Sequence, residues 1–358
     1  MVALGIDGYS LSEGSEVRGI GTFLRHLIAG LAGHQDFDVS VFATKDVELP
    51  AGAKRVVMGP PGHHRIRSLR HDARLPTLIR RSRCEVFHSP ALSPPPRSPV
   101  PWAQTLHDLT PLVFDDPRLA GERKRWLRLA SRVRAADAVI CVSHSSARQG
   151  IELLGLDPRR VRVIPHGVST AFSPGRPARP PETPYLLMVA TWGPHKGFRE
   201  AIAALDAVAA DGLPHRLLIA GAQTDQTRQR IAEDVRSSRF PERVVVLDHL
   251  PDLVDVYRGA DLVLVPSHAE GFGLPALEAM ACGVPVLAAD ATSLPEVVGD
   301  AGVLVPVGDA AMWGDAAVRL LGDEPRRAEL GRRGAARAAD FTWERAVAAY
   351  AEVLAALR

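Results

Sequence analysis

The sequence predicts an α/β protein built from two doubly wound parallel sheets. Short β-branched or apolar runs alternate with longer helical patterns along the chain, which is typical of parallel α/β folds. The alternation is interrupted once, by a proline-rich segment, and then begins again. A length of 358 residues also favours two domains.

The first half of the chain contains six strand candidates and two clear helical patterns, at residues 20–31 and 123–134. This half is predicted to form a domain over residues 1–172. Its strand candidates are residues 2–6, 39–43, 85–88, 100–106, 138–142 and 161–164.

Residues 173–184 contain five prolines, so they cannot form a helix and are poorly suited to a strand. We predict an interdomain linker there, followed by a second domain over residues 185–340. A final apolar-faced helix, within residues 341–358, is expected to pack back onto the first domain. The strand candidates of the second domain are residues 185–190, 216–220, 244–247, 262–266, 284–288 and 302–305.

Composition narrows the function classes. The net charge is only +2, which gives no case for nucleic acid as a partner. Three scattered cysteines do not form a disulfide framework or a zinc motif, no apolar run is long enough for a membrane span, and the first residues lack a signal-peptide pattern. We therefore expect a cytoplasmic protein without a metal site.

Two arginine-rich stretches leave two interpretations open. They are either solvated helix faces or a basic surface for an anionic acceptor or for peripheral contact with anionic lipid at the inner face of a membrane. Their basic residues are Arg65, Arg67, Arg70, Arg74, Arg80, Arg81 and Arg83, and Arg123, Lys124, Arg125, Arg128, Arg132 and Arg134.

A strand–loop–helix passage in the second domain places two carboxylates around a glycine-rich turn, in the run Glu270-Gly-Phe-Gly-Leu-Pro-Ala-Leu-Glu278. Its glycines allow a ligand to approach the backbone, and Pro275 suits the first turn of a helix. The N–H groups of residues 272–276, except Pro275, which has none, are expected to be free at this helix end, which suits a diphosphate. Carboxylates accept hydrogen bonds from diols, so Glu270 is assigned to sugar hydroxyls and Glu278 to ribose hydroxyls.

This run resembles the E-x7-E signature of glycosyltransferase family 4, whose members are retaining enzymes of the GT-B fold. Residues 260–290 are similar to the family's core, residues 163–174 to its strand-and-linker passage, and residues 341–347 to its closing helix. The resemblance implies two Rossmann-like domains facing a deep cleft and a nucleoside diphosphate sugar as substrate, with no cofactor and no metal. It also implies donor contacts from Gly271, Phe272, Gly273 and Leu274.

Two further loops match the family at the donor phosphates. In the turn Gly193-Pro-His-Lys196, the family usually carries a basic pair that neutralises the leaving diphosphate, and Lys196 matches it. His195 stands where an arginine is common, and it is assigned to donor binding. In the first domain, Gly19 and Gly21 match a glycine-rich loop that faces the donor, whereas the spacing of these glycines does not fit a dinucleotide fingerprint.

His107 and Asp108 follow a strand of the first domain and resemble a His-Asp pair that contacts the donor sugar. By the same resemblance, His249, Leu250 and Leu253 surround the base. Ser143 has two interpretations, since it either lines the site or caps the helix that follows it.

The resemblance therefore implies transfer of a hexosyl group, with retention, from a GDP- or UDP-sugar, with GDP-mannose as the first guess. The acceptor is a hydroxyl or amine of a glycan, a glycolipid or a small metabolite, and the sequence does not identify it. The expected catalytic residues are His107, Asp108, Lys196 and Glu270. Two alternatives remain, a sugar-nucleotide 2-epimerase of the same fold and a sugar-nucleotide binding protein without turnover.

Overall fold

The computed structural model describes residues 1–12, 19–43, 47–58, 74–247, 250 and 252–358. The chain divides into two compact units. The first unit comprises Met1–Leu112, Leu119–Gly167 and Trp343–Arg358, and the second comprises Val113–Arg118 and Val168–Thr342.

Residues 173–184, which we predicted as a linker, lie within the second unit. Their prolines prevent regular structure, but hydrogen bonds attach the segment to residues 255–258. Arg258 Nε donates to the Ser173 carbonyl at 2.9 Å, and the Ala178 N–H donates to Asp255 Oδ2 at 3.1 Å.

Within the residues that the structure describes, the first unit contains a seven-stranded sheet in the order β3-β2-β1-β4-β5-β6-β7, and every pair is parallel. The order runs outward in both directions from β1 and β4, so the sheet is doubly wound. Its strands are β1 Val2–Asp7, β2 Phe37–Ala43, β3 Lys54–Val57, β4 Val86–Ser89, β5 Trp102–Leu106, β6 Ala138–Cys141 and β7 Val161–Val163.

The second unit contains a six-stranded parallel sheet in the order β10-β9-β8-β11-β12-β13, counted over its described residues. The strands β8 and β11 are neighbours, and the winding direction reverses between them. Ligands of such sheets bind beyond the carboxyl ends of the strands at this reversal. The strands are β8 Tyr185–Val189, β9 Arg216–Ala220, β10 Val244–Leu247, β11 Leu262–Val265, β12 Val286–Ala289 and β13 Val303–Val305.

Helices connect most of these parallel strands. Those between β1 and β7 are α1 Gly19–Ala32, α2 with residues 74–81 described, α3 Thr110–Val113, α4 Ala120–Arg134 and α5 His144–Leu154. Those after β8 are α6 Phe198–Ala210, α7 Asp225–Val235, α8 Val254–Arg258, α9 Leu274–Ala281, α10 Leu294–Val298, α11 Ala310–Gly322, α12 Glu324–Ala338 and α13 Trp343–Ala355. The predicted fold class, two doubly wound parallel α/β sheets, is confirmed.

The helix α13 completes the core of the first unit. Its apolar face, with Val347, Tyr350 and Leu354, is buried in the same cluster as Phe23 and Leu27 of α1. The buried ring of Tyr350 packs against Phe23 of α1, with the ring centroids 5.7 Å apart, so the expected packing of this helix onto the first unit is observed. No helix among the described residues is long and apolar enough to cross a membrane.

The arginines of α4 lie on the solvent side of an amphipathic helix. Its inner face buries Trp126, Ala130 and Val133. Several of its arginines donate to backbone carbonyls of the same unit, for example Arg123 to Pro111 at 2.8 Å and Arg134 to Leu154 at 2.8 Å. These contacts fit the solvated-face interpretation, while Arg65, Arg67 and Arg70 lie outside the described residues.

Candidate functional site

The two loops that follow β8 and β11 meet through a lysine and a glutamate. Lys196 Nζ donates to Glu270 Oε1 at 2.6 Å, and the two side chains are only 23% and 14% exposed. Burial raises the pKa of Glu270, but the charge of Lys196, its hydrogen bond and one from Ser267 outweigh burial and hold the pKa below its ordinary value. The carboxylate is therefore ionised and fixed at the reversal point of the second sheet.

A third loop, between β12 and α10, holds the backbone of the Glu270 loop. The Glu270 N–H donates to Thr292 Oγ1 at 2.9 Å. The buried hydroxyl of Ser293 donates to the carbonyls of Glu270 and Phe272 at 3.0 and 2.8 Å. Thr292 has a φ of 49°, which is uncommon for a β-branched residue and is typical of functional loops. Neither Thr292 nor Ser293 was predicted from the sequence.

The glycine-rich turn leads into α9 as expected, with one correction. Gly273 has a φ of 108° and occupies the position before the helix, with Pro275 in the first turn. This φ is strained for any residue with a side chain, so the turn requires glycine, and an added Cβ would also approach Leu294 Cδ2 to 2.8 Å. The expected row of free donors at residues 272–276 is wrong at Ala276, whose N–H donates to the Gly273 carbonyl at 3.1 Å.

Glu278 lies about one turn inside α9 and is held by a tyrosine that the sequence analysis did not identify. The hydroxyl of the fully buried Tyr257 donates to Glu278 Oε2 at 2.7 Å. Burial raises the pKa of Glu278 to about 7, although the hydrogen bond from Tyr257 acts in the opposite direction. The carboxyl group therefore changes its charge near neutral pH.

His195 precedes Lys196 and belongs to the same cluster. Its carbonyl accepts the N–H of His268 at 2.7 Å, which joins the β8–α6 loop to the β11–α9 loop. Its ring packs edge-on against Phe114 at 6.2 Å, and its charge contributes to the lowered pKa of Glu270. His195, Lys196 and Glu270 therefore form one cluster.

In the first unit, His107 has both ring nitrogens engaged. Its Nε2–H donates to the Pro90 carbonyl at 2.6 Å, and its Nδ1 lies 3.3 Å from His166 Nε2. Burial lowers the pKa of His107 despite opposing effects of the Pro90 carbonyl and Asp108, which favours a neutral ring. Asp108 accepts the Thr110 N–H at 3.1 Å in a local turn.

The other residues predicted to bind the donor lie in several different elements. Gly19 and Gly21 lie in the first turn of α1, and residues 13–18 before them are outside the described range. Leu253 precedes α8, and its carbonyl accepts the Tyr257 N–H at 2.8 Å. Leu250 is half-buried, and His249 lies outside the described residues.

Ser143 caps α5. Its hydroxyl accepts the Ser146 N–H at 3.0 Å in a reciprocal capping arrangement. Of the two interpretations of this serine, the helix cap is confirmed. In the described part of the chain, no group of three or more His, Cys, Asp or Glu side chains is placed to hold a metal ion.

Two family models match consecutive parts of the chain. The model described as glycosyl transferases group 1 matches residues 170–337, and that described as glycosyltransferase family 4 matches residues 17–172.

Curated relatives include two proteins named D-inositol 3-phosphate glycosyltransferase. The protein from Acidothermus cellulolyticus is 35% identical over 273 residues, covering 69% of this chain and 60% of the relative. The protein from Nocardia farcinica is 37% identical over 228 residues, covering 59% of this chain and 51% of the relative. The chain thus spans between about half and two thirds of the length of such relatives.

Solved structures share the fold at low sequence identity. Sucrose-phosphate synthase from Thermosynechococcus elongatus superposes with a TM-score of 0.84 at 21% identity, covering 100% of this chain and 99% of that one. The Anabaena protein HepE, in complex with UDP and glucose, gives a TM-score of 0.78 at 18% identity, covering 99% and 100%.

Proposed function

The chain belongs to glycosyltransferase family 4 and has the GT-B fold, and we propose that it transfers a hexosyl group from a nucleoside diphosphate sugar to an acceptor hydroxyl. The observation that carries this proposal is the 2.6 Å pair of Lys196 and Glu270 at the reversal point of the second sheet, beside the first turn of α9. A cation, a carboxylate and a helix N-terminus in one place suit a ligand that has both phosphates and hydroxyls.

Lys196 has the chemistry to stabilise the leaving diphosphate. An ammonium group has three donors, and the hydrogen bond to Glu270 uses one of them. The other two can point at phosphate oxygens, whose charge grows as the glycosidic bond breaks. Fixed charges aimed at developing charge supply a large part of catalysis in most enzymes.

The two glutamates would bind opposite ends of the donor. Glu270 accepts from Lys196 and Ser267 and keeps lone pairs for sugar hydroxyls. Glu278, ionised above a pH of about 7, would accept the ribose diol, with Tyr257 holding one of its oxygens. The Gly273 and Leu274 N–H groups would meet the diphosphate between them.

The proposal includes retention of the anomeric configuration and independence from metal ions. Lys196 and the first turn of α9 would provide the charge compensation that a divalent cation provides elsewhere. In a retaining reaction of this type the acceptor hydroxyl attacks the face from which the diphosphate leaves, and its proton passes to a phosphate oxygen.

For the acceptor we propose a phosphorylated polyol. This choice is supported by the relatives from Acidothermus cellulolyticus and Nocardia farcinica, which are named D-inositol 3-phosphate glycosyltransferases.

A donor and acceptor screen tests the reaction. We expect a UDP- or GDP-sugar with inositol 3-phosphate to give a glycosylated product by mass spectrometry, with the donor's anomeric configuration by NMR and with unchanged rates in EDTA. Donor without acceptor is the control. A sugar isomerised without acceptor would instead indicate a 2-epimerase, and donor binding without transfer or hydrolysis would indicate a binding protein.

The pH dependence of donor binding tests the role of Glu278. For wild type we expect the donor KM to fall as the pH rises through about 7, because the carboxylate accepts the ribose hydroxyls. Tyr257→Phe removes the donor that stabilises this carboxylate, so the midpoint should move to a higher pH, and the KM at pH 7 should rise about threefold to tenfold.

Tyr185→Phe is the matched control for this measurement. The Tyr185 hydroxyl donates to the Val256 carbonyl at 2.7 Å, so its loss removes a tyrosine hydrogen bond of the same length that does not involve Glu278. An identical pH profile for wild type and Tyr257→Phe would contradict the assignment of Glu278 to the ribose.

A further inference from the structure

A buried carboxylate that the proposed mechanism does not use lies next to the Lys196 loop. Glu200 is in the first turn of α6, directly after that loop, and is only 8% exposed. Its Oε1 accepts from His268 Nε2 at 2.7 Å, and it also accepts the Gly308 backbone N–H. Glu200 thus receives hydrogen bonds from the loops that follow β11 and β13.

His268 connects Glu200 to the catalytic pair. It lies on the β11–α9 loop shortly before Glu270, and its backbone N–H donates to the His195 carbonyl at 2.7 Å. One residue therefore joins α6 through its side chain and the Lys196 turn through its backbone. Phe114 packs edge-on against the rings of both His195 and His268, at 6.2 and 5.7 Å.

Hydrogen bonds keep Glu200 ionised. Burial raises its pKa, but the hydrogen bond from His268, together with the backbone donors, outweighs burial and lowers the pKa overall. Glu200 and His268 line a cavity of about 340 Å³, whose other charged lining residues are Arg118, Arg199 and Asp234. Asp234 pairs with Arg199, and Arg118 with Asp116, so each of these three lining residues has a charged partner outside the Glu200–His268 pair.

We propose that Glu200 is a positioning residue that, through His268, fixes the Lys196 and Glu270 loops at the separation the transfer reaction requires. The inference rests on the proposed function, because it assigns Glu200 a role in the same site. Lys196 and Glu270 come from loops of different strands, so their 2.6 Å contact depends on how these loops are held together. A displacement of about 1 Å at a catalytic group is enough to slow a reaction on the order of 100-fold.

Substitutions of Glu200 and His268 distinguish a role in positioning the catalytic loops from a role in folding alone. We expect Glu200→Ala and His268→Leu each to lower kcat by about 10- to 100-fold, with the donor KM changed less than about threefold. Glu200→Gln and His268→Gln keep a hydrogen bond between the two positions and should restore most of the rate. The double variant Glu200→Ala/His268→Leu should be no slower than either single variant, because both changes break the same contact.

A second His–carboxylate pair in the same unit provides the control. His215 Nε2 lies 3.3 Å from Asp261 Oδ2. These residues immediately precede β9 and β11, so they lie at the amino ends of the strands, whereas the candidate site lies at the carboxyl ends. Asp261→Asn should leave kcat unchanged. Thermal unfolding of all variants shows how much stability each pair contributes.

The outcomes distinguish this inference from the proposed function. If Glu200→Ala leaves kcat unchanged, or if kcat falls no more than in Asp261→Asn, the inference is overturned. If wild type transfers no sugar to any acceptor, the proposed function fails. Calorimetry with UDP and GDP then tests Glu200. The free diphosphate carries the charge that the leaving group gains in the transition state, so a displaced Lys196 should weaken its binding about tenfold although the donor KM changes little. Unchanged affinity in Glu200→Ala overturns the inference.

Discussion

Lys196→Ala is expected to lower kcat/KM for glycosyl transfer by about 100- to 1000-fold, which is the usual cost of removing a fixed charge at a transition state. The loss should appear mainly in kcat, because the leaving diphosphate carries more charge in the transition state than in the bound donor. The substitution also leaves Glu270 without its cation. Since burial raises the pKa of this carboxyl and Lys196 lowers it, the pKa should rise in the variant.

Lys54→Ala is a matched control for this prediction. Lys54 Nζ also lies 2.6 Å from a carboxylate, Asp38 Oδ2, but its side chain is 63% exposed and lies on an edge strand of the first sheet. Initial rates for both variants, measured at saturating and at low donor, give the comparison. Transfer by Lys196→Ala at a rate within about threefold of wild type would refute the charge-stabilising role.

Gly197→Ala should produce the largest loss of stability. Gly197 has a φ of 71° and stands directly before α6, and an alanine Cβ there would lie 2.0 Å from the Pro266 carbonyl oxygen. The β8–α6 loop passes too close to the end of β11 for any side chain. We expect the free energy of unfolding to fall by more than about 3 kcal/mol, from left-handed strain and the collision with backbone together.

Gly212→Ala separates these two causes. Gly212 has a φ of 84° in the same unit, but an added Cβ would meet nothing within 4 Å. This variant should lose only about 1 kcal/mol, the cost of the left-handed conformation alone. Equal midpoints of urea unfolding for Gly197→Ala and Gly212→Ala would mean that the backbone at Pro266 moves away at no cost, which would contradict the prediction.

The strands of the fold were predictable because most of them are buried on both faces and read as apolar runs. Residues 216–220 and 244–247 were predicted with the bounds that β9 and β10 have. The strand β3 was missed. Its sequence, Lys54-Arg-Val-Val57, is mostly exposed and begins with two charges, which is typical of a sheet edge and resembles a loop in sequence.

The candidate site was predictable where its residues are close in sequence to a recognisable turn. Lys196, Glu270 and Glu278 belong to such passages, and the structure brings Lys196 and Glu270 together. The residues that hold the two glutamates by hydrogen bonds were not predictable. Tyr257 lies in α8 and Thr292 in the β12–α10 loop, and only the tertiary fold shows that they reach Glu278 and Glu270.

The proline-rich segment, residues 173–184, shows a second reason why a prediction from sequence can fail. Five prolines indicate irregular backbone correctly, but irregular backbone is compatible with a free linker and with a strap attached to a domain. Hydrogen bonds to Arg258 and Asp255 decide for attachment, and neither partner is marked by a local pattern.

The division of the chain has a consequence for its synthesis on the ribosome. The seven-stranded sheet is encoded first, but the helix that closes its core, α13, is translated only after the whole six-stranded sheet. Until then the apolar face of α1 lacks its partners Val347, Tyr350 and Leu354. The first unit therefore cannot complete its core until α13 has been translated, and until then its nascent form has apolar surface without its native partners.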